Sequence, residues 1–467
     1  MAISIDQRPL YEVLPIGQQV IFSVSENTIV ATKYKVKFIA EVHVSNTAIV
    51  PATTDTLIGT FKTTPNNAGV GIFDLRPILE TFVSPDHEPS SYAEYKNTDF
   101  QNTPFPIHLI DMYSLSDQSI KFFAVRFLIE YSDTPNGPII PPTDASNNND
   151  TDSDQYTIFN GVLQYDDVLT ASSVNYGYNL QEFYLTDTDS KFLTNAPTTQ
   201  YARLTDYGTF PFLNFLPDST DAVTTFHLKY YDSTGSLLNN ELVQNTVPNG
   251  GAAIAGSLSN TRINYLGAFP ANLRGDGSTM FAGLVAAGTI QGGYYTIQDS
   301  GAGSSLYRVN ILCPNERGYE GIRLTWLNQW GVWDYYTFNM KSTRSITTNR
   351  TSYTQQGGTW NESTFKIKGY KGGKKNFRVN STEKISLNTD FVTEAEGVWF
   401  EELINSTDVY IVNGYSEGEN IFKITNKYIE PVVLTTSSYV KKTIANDKLM
   451  QYTIEIEKSK MQRTQSV

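Results

Sequence analysis

The chain has 467 residues, of which 13% are aromatic and only 18% are charged, and its formal net charge at pH 7 is −13. A sequence rich in aromatics and poor in charge is typical of β-sheet proteins that contact other proteins, and the acidic balance argues against general nucleic-acid binding. There is no run of about 20 apolar residues, which a membrane-spanning helix requires. At about 150 residues per domain, the length predicts two to four domains.

The first predicted domain covers residues 1–133 and has the pattern of a β-sandwich. Its apolar residues alternate with polar ones, which is the period of a strand with one solvated face. Tyr34, Val36 and Phe38 show this alternation against intervening lysines. Residues 73–82 are the expected helix, with Asp74 as its cap. Strands are expected at residues 20–25, 34–44, 56–62 and 121–131.

Residues 134–155 are rich in proline, asparagine and aspartate, and this composition predicts a linker or a long exposed loop. Asp150, Asp152 and Asp154 alternate as the carboxylates of a calcium loop do. The glycine and glutamate that such a loop needs are replaced by Gln155 and Gly161. Weak calcium binding stays open here and at the Asp187 and Asp189 pair.

A central β domain is predicted for residues 156–345 and a C-terminal β domain for residues 346–467. In the central domain, two alternating runs separated by Asp-Ser-Thr-Gly predict a hairpin over residues 225–244. In the C-terminal domain one helical turn is expected within residues 394–404. Strands are expected there at residues 364–370, 397–400, 409–412, 421–425, 431–436 and 452–457.

An unusual aromatic segment lies near the end of the central domain. Trp326, Trp330 and Trp333 fall within eight residues, and Tyr335 follows. The spacing predicts two strands with a turn at residues 328–331. Aromatic side chains bury the largest area per residue, so this hairpin is expected to anchor either a core or a subunit interface.

A basic segment lies in the C-terminal domain, and it predicts a hairpin with a turn at Gly372 and Gly373. Residues 1–340 carry a net charge of −17 and residues 341–467 a net charge of +4. The segment is interpreted as a solvated hairpin, as a contact with an acidic neighbouring subunit or, third, as a nucleic-acid contact. Its cations are Lys366, Lys368, Lys371, Lys374, Lys375 and Arg378.

Catalytic and metal-binding patterns are weak throughout the sequence. The four histidines stand far apart, and Gly-Tyr-Ser416-Glu-Gly lacks the histidine that a nucleophile-elbow serine needs after it. Cys313 is the lone cysteine and is expected to be a small buried residue at a strand end. The N-terminus has no basic stretch followed by an apolar run, so it does not predict a secretory signal. We therefore expect no enzyme activity, no cofactor and no metal.

Four patches of the sequence resemble virion structural proteins of tailed bacteriophages, especially tail and baseplate proteins of phages of Bacteroidetes-like hosts. These are packing patterns, and they carry no catalytic residue. The patches are residues 20–25 with 34–44 and 60–74; residues 192–197 with 204–208; residues 313–338; and residues 399–403 with 408–411 and 452–457.

The resemblance implies a mostly β, multi-domain virion subunit with little helix, built of sandwich-like or barrel-like domains. Such a subunit would be made in the host cytoplasm and would assemble symmetrically with its own copies and with other tail or neck proteins. Two alternatives stay open: a receptor-binding or glycan-binding tail module that contacts the host surface, and a capsid decoration or head-fibre protein. A polysaccharide-degrading spike is disfavoured, because neither β-helical repeats nor a pair of acids in a cleft is recognisable.

Overall fold

A computed structural model describes most of the chain. Of the described residues, 47% lie in strands and 12% in helices, so the prediction of a mostly β fold with little helix is confirmed. The described residues are 3–46, 56–89, 106–110, 113–164, 183, 191–214, 225–244, 262–274, 278–299, 306–313, 318–412, 429–438, 440, 450–459 and 462–466.

The backbone divides into two compact units, each described here by itself. Unit 1 comprises residues 1–313, 327–334 and 414–417, and unit 2 comprises residues 314–326, 335–413 and 418–467. Strands of unit 1 that lie before the boundary predicted at residue 155 pair with strands that lie after it. β7 (Tyr113–Leu115) pairs with β15 (Arg262–Leu266), and β10 (Tyr156–Phe159) pairs with β8 (Ile120–Ser132).

The N-terminal part of unit 1 consists of two sheets. A three-stranded sheet has the order β1-β3-β6, and a six-stranded sheet has the order β2-β10-β8-β4-β5, with β9 paired to β8. The remaining strands of these sheets are β1 (Ser4–Gln7), β2 (Val13–Pro15), β3 (Ile21–Ser25), β4 (Tyr34–Ser45), β5 (Thr56–Thr63), β6 (Val70–Asp74) and β9 (Asp150–Asp152).

The core of this part joins the two sheets. Phe22 on β3 and Phe73 on β6 both pack on Phe127 of β8, with ring centroids 5.6 and 5.8 Å apart. The predicted strands at residues 20–25, 34–44, 56–62 and 121–131 are all present. The expected solvated face of β4 is wrong beyond residue 37, because consecutive residues from Phe38 to Ala40 are buried and the strand is therefore covered on both faces there.

The helix expected at residues 73–82 is much shorter. Residues 70–74 form β6, and α2 covers only Arg76–Leu79. Asp74 accepts a hydrogen bond from the Arg76 backbone at 3.1 Å and another from Val20 at 3.3 Å, so its side chain joins two segments. Another short helix, α1 (Asn27–Thr32), connects β3 to β4.

The segment predicted as a linker or long loop runs along β8. Asn147 is buried, and its amide donates to the carbonyl oxygen of Ile129 at 2.8 Å. Tyr131 and Ile140 form an antiparallel bridge, and β9 adds three further residues to the sheet. This polar segment has no hydrophobic core of its own, and hydrogen bonds to β8 order it instead.

The rest of unit 1 consists of two smaller sheets. A five-stranded sheet has the order β11-β17-β16-β13-β14, and a three-stranded sheet has the order β12-β15-β7. The predicted hairpin at residues 225–244 is present as β13 and β14. The elements are β11 (Thr199–Arg203), β12 (Phe210–Asn214), β13 (Thr225–Tyr231), β14 (Leu237–Gln244), β16 (Tyr294–Asp299), β17 (Tyr307–Leu312), α3 (Pro270–Asn272), α4 (Thr279–Ala286) and a 3-10 turn (Ile107–Leu109).

Unit 2 is built on an eight-stranded sheet with the order β19-β18-β22-β23-β24-β21-β20, and β25 pairs with β21. Only four residues, 339–342, join β19 to β20, although these strands stand at opposite ends of that order. The sheet must therefore curve so that its two ends approach each other. The strands are β18 (Ile322–Leu327), β19 (Trp333–Phe338), β20 (Thr343–Gln355), β21 (Gly373–Asn388), β22 (Val409–Val412), β23 (Ile429–Leu434), β24 (Thr453–Lys458) and β25 (Gln462–Ser466).

Helix α5 (Glu394–Asn405) packs on this sheet. Its N-cap Thr393 and Glu396 form a capping box, and Phe400 packs against Tyr336 with ring centroids 4.8 Å apart. The strand expected at residues 397–400 is wrong, because those residues lie inside this helix. The strand expected at residues 364–370 is also wrong, because they lie in the loop between β20 and β21. The strand expected at residues 421–425 lies outside the described residues.

Candidate assembly interface

The tip of the β18–β19 hairpin, which belongs to unit 1, is held by a network around Asn328. The Asn328 side chain accepts from the Trp330 backbone at 3.0 Å and donates to the carbonyl of Leu193 at 2.8 Å. Gly331 has φ +70°, and a Cβ there would overlap the carbonyl oxygen of Asn160. Trp330 is buried and packs on Phe183, with ring centroids 4.8 Å apart. The expected turn at residues 328–331 is thus a tightly packed one.

Trp333 is anchored by both its indole nitrogen and its ring. The Nε1 group donates to the backbone oxygen of Asp86 at 2.7 Å, and the ring meets His108 edge-on at a centroid distance of 5.0 Å. The buried Asp86 carboxylate accepts from the backbones of Asp117 and Gln118, and from the hydroxyls of Ser119 and Tyr265. Burial raises the pKa of Asp86, and these four hydrogen bonds oppose the rise.

Trp326 and Tyr335 belong to unit 2, and both are buried there. Trp326 packs on Trp399 of α5, with ring centroids 4.9 Å apart. The buried Arg323 lies over the Tyr335 ring at 5.2 Å and donates to the Thr337 hydroxyl at 2.9 Å. The four predicted aromatic interface candidates therefore lie in the interior of a single chain, and their surfaces contact residues of that chain.

An exposed feature of unit 2 is the β20–β21 hairpin with its loop, which we call the arm (residues 343–388). Twelve of the thirteen β20 residues are exposed, all but Gln355, and so are the first six residues of β21. At 3.3 Å per residue, β20 is about 40 Å long. The outer end of the arm, residues 352–355 with residues 373–377, is a two-stranded ribbon that buries little apolar area of its own. Along the rest of the arm, β21 also pairs with β25 and β24.

The loop of the arm, residues 356–372, folds back on itself. Thr359 and Lys366 pair through their backbones at 3.1 Å, and the Thr359 hydroxyl accepts from the Lys366 backbone at 3.0 Å. Glu362 forms ion pairs with Lys366 at 3.4 Å and with Lys368 at 3.6 Å. A compact loop, in place of the strand predicted at residues 364–370, holds these two lysines beside one carboxylate.

Large apolar side chains stand beside these cations. Trp360 is 71% exposed, Phe365 69%, Ile367 86% and Tyr370 74%. Exposed groups of this size on one short loop are unusual for a surface that meets only water. The sequence predicts a role for the cations but not for these four apolar residues. Only Phe365 and Ile367 carry a sequence signal, because they alternate with lysines from 365 to 368, and that alternation predicts a strand.

The arm also carries a charge opposite to that of the chain. It holds nine lysines and arginines against two glutamates, a net charge of +7 in a chain of net charge −13. The cations of its outer half are the predicted ones, of which Lys368 is half-buried and the others are exposed: Lys366, Lys368, Lys371, Lys374, Lys375 and Arg378. An apolar cluster among cations is the chemistry of a contact with an acidic surface.

The described part of the chain does not support the calcium site considered at Asp150, Asp152 and Asp154. Asp150 and Asp152 face Arg126, and Asp154 pairs with Arg8, so guanidinium groups stand where a calcium ion was considered. No group of three or more metal-ligating side chains is found among the described residues. Cys313 is half-buried rather than fully buried. Ser416, Asp187 and Asp189 lie outside the described residues.

No protein-family model matches the sequence, and no curated protein matches it. In the described residues, no helix is both long enough and apolar enough to cross a membrane.

Proposed function

We propose that the chain is a structural subunit of a bacteriophage virion, of the tail or baseplate, and that it works by symmetric assembly with its own copies and with other virion proteins. The arm is the observation that carries this proposal, because it presents apolar and basic side chains that have no use in a core. The sequence patches that resemble tail and baseplate proteins give the virion setting.

The energetics of the arm favour assembly. An exposed side chain of the size of Trp360 or Phe365 gains about 1.5–3 kcal/mol when a partner removes it from water. Tryptophan and tyrosine at the centre of a contact, with charges around them, are the residues that dominate binding energy in protein interfaces. Because the rest of the chain is acidic, the cations of the arm favour the surface of a second copy over a basic partner.

Shortening the arm tests the assembly role. We would replace residues 356–372 by Asn-Gly, which joins the paired Gln355 and Gly373 with a two-residue turn. The mass of the particle in solution, measured by light scattering, is expected to fall from an oligomer to a smaller species. The urea midpoint of the shortened monomer should match that of the dissociated full chain. A full-length chain that stays monomeric at high concentration contradicts the proposal.

The virion setting needs a separate experiment. Electron microscopy of phage particles labelled with antibody against the chain is expected to show label at the tail or baseplate. Label on the head instead supports the capsid-decoration or head-fibre alternative. Particles without label contradict a virion role altogether.

A receptor-binding or glycan-binding module is the second candidate, and one observation favours it. Trp360 and Tyr370 are exposed on the same loop, where aromatic faces are free to stack on sugar rings. The other four tryptophans, Trp326, Trp330, Trp333 and Trp399, are buried and offer no such face. Calorimetric titration with host surface polysaccharide tests this candidate. Binding that Trp360→Ala abolishes, in a chain that does not oligomerise, favours it over assembly.

A further inference from the structure

Strand β20 ends the sheet of unit 2 with an open edge. In the described part of the chain it pairs on one side only, with β21, along all thirteen residues. An open edge presents unpaired backbone N–H and C=O groups, and natural proteins protect such edges with lysine, proline or bulges. β20 contains neither lysine nor proline, and the irregularity of the hairpin falls on β21, at residue 377.

The composition of β20 suits pairing with another strand. Five threonines, Ile346 and Tyr353 give it high strand propensity, and its charged residues are Arg344 and Arg350. Its side chains are exposed on both faces, so an added strand would meet no overlying element. These features are those of a strand that is completed by another chain.

We infer that β20 pairs antiparallel with β20 of a second copy of this chain, around a two-fold axis at Asn349. This inference depends on the proposed assembly function and specifies its contact. In that register all thirteen residues pair, Arg344 faces the partner's Thr354, and Arg350 faces the partner's Thr348. Moving the axis by two residues, to Thr347, would set Arg344 opposite the partner's Arg350, which is destabilising.

The distribution of charge along the arm favours the same arrangement. Antiparallel pairing brings the basic loop of one arm to the base of the other arm. At that base Glu320 and Glu383 lie around Arg344, at 2.9 and 4.0 Å. The Glu320 side chain is two-thirds exposed, and both of its carboxylate oxygens accept from Arg344 at 2.9 Å. A parallel arrangement would set one basic loop beside the other instead.

A symmetric disulfide tests the inference. A residue on the two-fold axis faces its own copy with Cα atoms about 4.5–5.5 Å apart, within the range that a disulfide spans. Asn349→Cys in a Cys313→Ser background is therefore expected to give a covalent dimer on mild oxidation, seen on a non-reducing gel. The Thr347→Cys/Thr351→Cys double variant should also cross-link, because these two positions face each other.

Thr351→Cys alone is the matched control. Two copies of that residue are four positions apart across the axis, roughly 13 Å, and cannot join. Equal cross-linking of Thr351→Cys and Asn349→Cys overturns the inference, since it indicates random collision. An oligomeric chain in which Asn349→Cys stays uncross-linked overturns the strand pairing and leaves the assembly function standing. A chain that is monomeric without any cysteine contradicts both.

Discussion

The β18–β19 hairpin and the arm both carry several aromatic residues, but the surroundings of those residues are opposite. The β18–β19 hairpin buries Trp326, Trp333 and Tyr335, whereas the arm exposes Trp360 and Tyr370. The neighbouring residues explain the difference. Residues 326–338 contain a single charged residue, Asp334, while the arm loop places a lysine beside nearly every apolar residue. Aromatic content alone therefore does not separate a core from an interface, and the charge of adjacent positions does.

Replacing one tryptophan in each hairpin by alanine is expected to show the contrast with the largest effect. Trp326→Ala removes a fully buried indole that packs on Trp399, and we expect a loss of about 3–5 kcal/mol in the free energy of unfolding. Trp360→Ala removes an exposed indole, and we expect a change within about 0.5 kcal/mol. Urea denaturation of the dissociated chain measures both values. Similar losses for the two variants would contradict the assignment of one hairpin to the core.

The anchor of the hairpin tip gives the next largest effect. Asp86→Ala leaves two backbone N–H groups and two hydroxyls without their buried acceptor, and we expect a loss of about 2–3 kcal/mol. Asp86→Asn keeps the oxygen that the backbone groups need, so its loss should be about 1 kcal/mol or less. Thermal unfolding of both variants checks the order. Equal losses would mean that volume, and not hydrogen bonding, holds this site.

The carboxyl group of Asp86 also makes the free energy of unfolding depend on pH. Burial raises the pKa of Asp86 above 3.8 in the folded chain, so the folded state binds this proton more tightly than the unfolded state. The stabilisation from that proton is present below pH 3.8 and is lost as pH rises through the raised pKa. Asp86→Asn, which does not titrate, should lack this decline. A wild-type stability that instead rises over this interval, relative to Asp86→Asn, would mean that the hydrogen bonds outweigh burial.

The sequence predicted the strands well where turn chemistry and alternation agree. The hairpin over residues 225–244 is an example, because Asp232 accepts from the Ser236 backbone and Gly235 takes a positive φ. The sequence predicts only one turn of helix α5, because Trp399 and Phe400 favour a strand at residues 397–400. The capping box of Thr393 and Glu396 was present in the sequence and marked the start of the helix.

The candidate assembly interface could be predicted from the sequence only in part. The six cations of the arm were named from the sequence, but their arrangement was not. Alternation at residues 365–368 arises in a loop that Thr359 and Glu362 hold together, and local sequence does not show such ties. Whether β20 has an open edge depends on which distant strands pair with it. This too is a property of the fold and not of the local sequence.

The smallest expected effect concerns the charge of the arm. Lys374→Glu/Lys375→Glu places two carboxylates on an exposed stretch of β21 without touching the core. We expect unfolding to be unchanged and assembly to weaken, by up to about 1 kcal/mol per exposed ion pair. The weakening should be greatest at low salt, where the screening length is longest. The neutral Lys374→Gln/Lys375→Gln variant should fall between the double glutamate and the wild type. Sedimentation equilibrium at about 0.05 and 0.5 M salt measures this, and normal assembly of the glutamate variant at the lower salt would leave these lysines as an ordinary solvated face.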